Sequence, residues 1–423
     1  MNQKCAGTGA TKTGRSYAFL LTRFGSHPGK GIPVTEKKIN RNSSIELLKL
    51  LGIFLIVTSH VVQTLGSKGN EFFALADYWI SFTRATGNAE VLALTMLRYS
   101  GELGNTIFFV CSAWFFLESN SVRKRKIGSI WLDTWMISVL IMIIVLIVRG
   151  SLSRNLILKS FFPITCNNYW YINCYLLFYA IHPVLNRIIN NLEKKQLFRL
   201  VFFASVLYLI VAFANRIPYH IYGIGTNFFF SRLIGWTLIY FIMGFMKYHA
   251  PALWDSKRLN YGLVLIGFLG NYGLIFLTNL IDLKTGFFRG GNLIWDVPYN
   301  PFIIALVFGV FNLFRIHPFV SRPVNYLSKL TLYIYVIHEN LLLRTYYRPM
   351  MWQRVYECYG HQHVLGWAVA LSLIIFVFCA VCGIVYHESI HKLTERAVDS
   401  ASQRLGPKWV SFEKKALSKL NPD

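Results

Sequence analysis

The chain has 423 residues, 54% of them hydrophobic, 16% aromatic and only 15% charged, with a mean hydropathy of +0.42. That composition excludes an ordinary soluble domain and points to a protein that crosses a membrane several times. A formal net charge of +24 would suggest nucleic acid in a soluble protein, but here the basic residues fall in short runs between apolar segments. In that setting they act as topology signals and meet anionic lipid headgroups. Seven cysteines are present, and Cys111, Cys174, Cys379 and Cys382 lie inside apolar segments, so neither a disulfide framework nor a zinc spacing is visible. Cys379 and Cys382 form a CxxC on an apolar helix and read as small packing residues, and no metal site is expected.

Residues 1–40 are rich in Gly, Ser, Thr and Lys, and their one apolar run, 17–21, is too short for a signal-peptide core. A disordered basic cytoplasmic tail is expected there. A window of about 19 residues then finds apolar segments near 45–65, 104–118, 129–149, 168–189, 197–215, 226–248, 261–281, 299–316, 325–343 and 364–387. The stretch 75–99 reads as an interfacial helix. Lys and Arg gather in alternate connections: Arg123 to Lys126, 187–199, 247–258, 315–329 and the Lys-rich C-terminus. Because such residues accumulate on the cytoplasmic side, the expected fold is all-α, a polytopic membrane bundle of about ten transmembrane helices with both termini cytoplasmic. The expected organisation is a tail at 1–40, a transmembrane domain at 41–391 and a basic cytoplasmic tail at 392–423. No repeat of fixed period is evident, which weighs against an inverted-repeat transporter.

The first apolar segment, IELLKLLGIFLIVTSHVV (45–62), carries Glu46, Lys49 and His60. A helix turns about 100° per residue, so the 11 steps from Lys49 to His60 return within roughly 20° of the same direction. Glu46 precedes Lys49 by three residues and shares that face. The rise of about 16 Å places His60 near or just beyond the middle of a ~30 Å hydrocarbon core when Lys49 is at the inner interface. Glu46 and Lys49 alone fit snorkelling anchors. An ionisable His60 deep in a span is costly and belongs to a cavity or site, and neutral imidazole is the common general base near neutral pH.

The stretch RNSSIELLKLLGIFLIVTSH (41–60) resembles the opening signature of the acyltransferase 3 family of integral-membrane acyltransferases. That signature has an acidic residue, a basic residue three positions on, and a His after ten further residues. Lys49 stands where most members carry Arg, which keeps the charge without the bidentate fork. GELGNTIFFVCSAWFFLES (101–119) is similar to the second-span motif, with Ala113 in place of the Gly after Ser112. RKRK (123–126), NNYWYINCYLLFYAIHPVLN (167–186) and LSKLTLYIYVIHEN (327–340) resemble later motifs, in the family's order.

The resemblance implies an O-acyltransferase of the bacterial cytoplasmic membrane. It would move an acyl group, acetyl above all, from acyl-CoA to a hydroxyl of a cell-surface or exported polysaccharide sugar or of its lipid-linked precursor. Such a reaction needs a base, a positive field for the donor's phosphates and shelter from hydrolysis. His60 is the expected base or transient acyl carrier, with Glu46 as its partner in the catalytic stripe through orientation of Lys49. Lys49, Arg123, Lys124, Arg125 and Lys126 are the expected CoA-binding cations. Trp170, Tyr171 and His338 are the candidate acceptor contacts, although aromatic-belt and interfacial roles fit them as well. Ser112 reads as a packing hydroxyl, and Arg232 should face the bundle or the outer headgroups. Polysaccharide-assembly proteins are expected partners, and a glycan or lipid transporter is the other class that a charged polytopic bundle allows.

Overall fold

The structure is a computed structural model that describes residues 42–65, 89–222, 232–285, 299–360 and 362–404. The tail expected at 1–40, most of the interfacial helix expected at 75–99 and residues 405–423 of the expected C-terminal tail lie outside the described residues. The architecture is all-α. Helix α1 spans Ser43–Thr64 and α2 Ala89–Phe116; α3 spans Lys124–Arg149, and α4 is the short Arg154–Phe161. They are followed by α5 (Trp170–Asn191), α6 (Lys194–Tyr222), α7 (Arg232–His249), α8 (Lys257–Thr285) and α9 (Pro301–Ile316). The last helices are α10 (Arg322–Leu327), α11 (Thr331–His338), α12 (Arg348–Tyr359) and α13 (Val364–Ser389), and a further helix covers 391–404. Among the described residues five helices are long and apolar enough to cross a membrane: α1, α3, α5, α13 and residues Lys257–Leu277 of α8.

Two expected segments look different in three dimensions. The second apolar segment, 104–118, belongs to a helix that already begins at Ala89, so the end of the stretch read as interfacial is continuous with it. The ninth, 325–343, is not one span. It breaks into α10, a 3-10 turn at Ser328–Leu330 and α11, and a π-helical turn follows at Leu343–Tyr347. Irregular backbone at membrane depth is tolerated where protein or a cavity surrounds it, and six consecutive residues from Tyr333 to His338 are buried.

Helix α1 is the hub. The Asn42 side chain accepts the Ser44 N–H at 3.0 Å and caps its N-terminus. Ser44 Oγ donates to the His317 carbonyl at 2.6 Å, and the Ser43 N–H donates to the Phe319 carbonyl at 2.9 Å, which ties that end to the connection after α9. Small residues let α2 lie directly on α1. A Cβ at Gly52 would sit 3.2 Å from the Gly104 carbonyl oxygen, one at Gly104 would collide with the Gly52 carbonyl, and one at Gly101 would lie 2.6 Å from Ser59 Oγ. Close backbone approach of this kind is how helices pack where lipid removes the hydrophobic drive between them.

On the basic side of the bundle, Asp133 of α3 is buried at the junction with the C-terminal residues. It accepts hydrogen bonds from Tyr386 Oη at 2.8 Å and Thr394 Oγ1 at 2.7 Å, and His391 Nδ1 lies 3.1 Å from its other oxygen. The first part of the basic C-terminal segment is therefore a helix packed on the bundle, with Thr394 and Val398 buried.

Candidate active site

His60 is in the last turns of α1, and the break after α11 brings three further groups to it. Its Nδ1 lies 2.9 Å from Glu339 Oε1 and 3.1 Å from His338 Nε2, and the two imidazoles are stacked, with ring centroids 5.3 Å apart. His338 Nδ1 lies 2.9 Å from the Ile334 carbonyl oxygen. Only a protonated Nδ1 can donate to that carbonyl, so the His338 Nε2 is an acceptor. The His60 Nδ1 must then carry the proton it shares between Glu339 and His338, and the Nε2 of His60 is left with the basic lone pair. This is the tautomer a general base requires, set by a carboxylate on the far nitrogen.

Glu339 can face His60 because it is the residue where α11 stops, at φ −91° and ψ 4°. Adjacent residues inside a helix diverge by about 100°, and leaving the helix removes that restriction. Arg348 then holds the end in place. It donates to the His338 carbonyl, to Glu339 Oε1 at 3.2 Å and to the His60 carbonyl at 3.5 Å. Arg344 reaches Glu339 Oε2 at 3.4 Å. Trp352 Nε1 donates to the Val61 carbonyl at 2.8 Å, and Asn340 Nδ2 donates to Tyr169 Oη at 3.2 Å. His338, Glu339, Asn340 and Arg348 are all buried. Both His338 nitrogens, both Glu339 oxygens and the Arg348 guanidinium have partners, as a buried network demands.

Below His60 on the same helix face lies a cavity of about 180 Å3. Glu46, Lys49, Ile53 and Ile56 line it from α1, Ser112 from α2, Tyr171 and Tyr175 from α5, and Tyr335 from α11. Glu46 and Lys49 of the stripe expected from spacing are thus in one wall of a cavity, and His60 is not among its lining residues. Tyr335 joins the cavity to the cluster, since its ring stands edge-on to His338 at 5.6 Å and 5.8 Å from Tyr171. Lys49 Nζ is 3.4 Å from both Glu46 carboxylate oxygens and lies 5.4 Å over the Phe115 ring.

The remaining candidates distribute unevenly. Glu46 sits with Lys49 about 21 Å along the helix from His60, and the carboxylate beside His60 is Glu339. Lys126 Nζ lies 4.7 Å over Tyr179 and 5.4 Å over Tyr175, the latter a cavity residue. Arg125 is bound to Asp399 at 2.6 Å and to Glu395 at 3.5 Å in the C-terminal helix. Arg123 and Lys124 are exposed at the start of α3. His338 is inside the cluster rather than at an interface, and Tyr171 is buried on the cavity side. Trp170 offers its ring to the Arg232 guanidinium at 4.6 Å, and Arg232 pairs with Glu102 through Nη2 at 2.6 Å, so Arg232 faces the bundle.

Sequence reasoning passed over Glu339, Arg348 and Tyr335. Glu339 directly follows His338 in the quoted 327–340 motif, and an acidic residue closing an apolar run was the available signal. Arg348 lies beyond the ninth apolar segment, 325–343, and outside every quoted motif, so it carried no intramembrane signal.

His60, His338 and Glu339 offer ligand atoms within 4.8 Å of one another, near enough for one divalent cation by distance. Arg348 and Arg344 both engage the Glu339 carboxylate, and two guanidinium groups beside that ligand oppose a further cation. The charges fit a hydrogen-bonded acid–base relay better.

A family model described as an acyltransferase domain, acyltransferase 3, matches residues 42–387. The chain belongs to the acyltransferase 3 family. No curated protein and no solved structure matches it. As a family member it is a multi-pass membrane O-acyltransferase acting on polysaccharide or lipid-linked sugars, with acyl-CoA as co-substrate.

Proposed function

We propose that His60 is the general base of acyl transfer and that Glu339, held by Arg348, is the carboxylate that orients it. The observation that carries this reading is the 2.9 Å contact between His60 Nδ1 and Glu339 Oε1. His60 Nε2 takes the proton of the acceptor hydroxyl as its oxygen attacks the thioester carbonyl carbon. The C–S bond then breaks, and the imidazolium returns the proton to the departing CoA sulfur. Glu339 stabilises the imidazolium in between. This assigns His60 the base role in preference to that of acyl carrier, because a carboxylate on Nδ1 stabilises the positive charge a base acquires.

The donor arm lies in the cavity along α1, with the thioester toward His60 and the phosphates toward Lys49 and Lys126. The cavity's residue order supports this, running from Lys49 past Ile53 and Ile56 to Tyr335 beside the cluster. The acyl group is acetyl, as the family resemblance implies. Alternating basic connections support about ten spans with both termini in the cytoplasm of a bacterium, which puts Lys49 on the side where CoA is found.

The test is acyl transfer from labelled acetyl-CoA to the cell's glycan in isolated membranes. His60→Gln keeps hydrogen bonding but loses a base that works at neutral pH. Transfer should fall by about a hundredfold or more, the scale of general-base catalysis, with unchanged protein level and detergent stability. Transfer at the wild-type rate would make His60 a structural residue.

A further inference from the structure

A second cavity reaches the catalytic cluster and shares no lining residue with the first. It is a groove of about 640 Å3 between α3 and α13, with His338 and Arg348 among its lining residues. That volume lies in the range of binding sites for organic ligands, which are mostly apolar with a few placed polar groups. On α3 the lining runs from Ile137 to Val148, eleven steps or about 16 Å, more than half of a ~30 Å hydrocarbon core. Its walls open sideways. Ile144 and Val381, both lining residues, are 58% and 52% exposed, and they belong to helices apolar enough to span the bilayer.

We infer that this groove seats the hydrocarbon chain of a lipid-linked glycan acceptor, which enters from the bilayer and brings its sugar to His60. The inference rests on the acyl-transfer reading above and selects, from the two acceptor forms, the lipid-linked one. Continuity with the cluster is what commits the groove to the acceptor. A chain lying along α3 and α13 touches His338, whose Nε2 is 3.1 Å from His60 Nδ1, so the groove ends one imidazole ring from the basic Nε2 of His60. The donor's cavity shares no lining residue with the groove and lies mainly along α1, α2 and α5, with Ile130 of α3 and Tyr335 of α11 also in its wall. Donor and acceptor thus occupy separate cavities, and neither has to leave for the other to bind.

The experiment uses the full chain in nanodiscs with two photoreactive probes: a polyprenyl-phosphate-linked glycan carrying a diazirine in its chain, and a phosphatidylglycerol carrying one in its tail. Crosslinked peptides should come from 137–148 and 375–390, and unlabelled lipid-linked glycan should compete where phosphatidylglycerol does not. In parallel, Ile144→Trp and Val381→Trp fill the groove from positions that already face lipid and therefore leave the fold intact. They should raise KM for the lipid-linked acceptor at least tenfold, while KM for acyl-CoA and transfer to the same glycan without its lipid stay unchanged. Equal labelling by phosphatidylglycerol, crosslinks elsewhere, or an equal loss with both acceptors would overturn the inference. Groove crosslinking in a wild-type protein that acylates neither acceptor would support the binding site and sink the acyl-transfer reading.

Discussion

Helices α1 and α13 have similar lengths, 22 and 26 residues, and both are apolar enough to cross a bilayer, but they meet different surroundings. In α1 67% of the spanning window is buried inside the protein, against 28% in α13. The buried residues of α13, among them Val364, Ala368, Leu371, Cys379, Gly383 and Tyr386, recur every three or four positions and form one stripe, with lipid-facing residues between. Those of α1 lie on all sides. The more polar of the two helices is the more deeply buried. Hydropathy measures affinity for lipid, and a helix surrounded by protein can hold Glu46, Lys49 and His60 because Glu46 and Lys49 pair with each other against Phe115 of α2, and the end of α11 brings His338 and Glu339 to His60.

The largest effect that would sharpen this contrast is at the end of α1. Glu339→Gln retains an acceptor for the His60 Nδ1 proton and removes the charge that stabilises the imidazolium. The kcat for transfer should fall by roughly ten- to a hundredfold, with KM for acyl-CoA unchanged. A matching substitution on the lipid face of α13, Val377→Ala, should leave kcat alone. An unaltered kcat in Glu339→Gln would return the relay to His338.

Lys49 tests the other end of the stripe. Lys49→Ala should raise KM for acyl-CoA by about tenfold, as expected for loss of one charge-assisted hydrogen bond worth about 1.5 kcal/mol. Lys49→Arg should keep much of the affinity. If the alanine variant titrates with acyl-CoA like the wild type, Lys49 is an anchor paired with Glu46.

Packing separates the two helices without reference to chemistry. Gly104→Ala forces a Cβ into the Gly52 carbonyl of α1, whereas Gly366→Ala in α13 meets nothing within 4 Å. Overpacking costs about 1 to 3 kcal/mol, so the first variant should lower the melting temperature in detergent by several degrees and the second should not. Equal melting temperatures would mean that α1 and α2 can part without cost.

The smallest expected effect is that of a chelator. If the cluster is an acid–base relay guarded by two arginines, prolonged EDTA treatment of membranes should leave transfer unchanged. A loss that zinc restores would convert His60, His338 and Glu339 into metal ligands.

Local regularities carried much of this into the sequence. The apolar windows located α1, α3, α5 and α13, and the 100° turn of a helix placed Glu46, Lys49 and His60 on one stripe, of which Glu46 and Lys49 now line a cavity with Ile53 and Ile56. Those are properties of one continuous helix, and residue spacing determines them. The same reasoning put Glu46 on the face of His60 as the residue that orients Lys49, and offered no carboxylate for His60 itself, since it knew only neighbours along α1.

What the tertiary structure alone decided is which groups meet His60. Glu339 and His338 are 279 and 278 positions away in the chain, and they arrive because α11 stops inside the protein and Arg348 folds back over its last carbonyl. A hydropathy window treats 325–343 as one span and cannot see that break, because burial by neighbouring helices, rather than local preference, makes irregular backbone tolerable there. Nor does composition separate a helix facing lipid from one facing protein when both are apolar. The partners of α1 are set by the packing of distant helices, and only the folded chain contains that information.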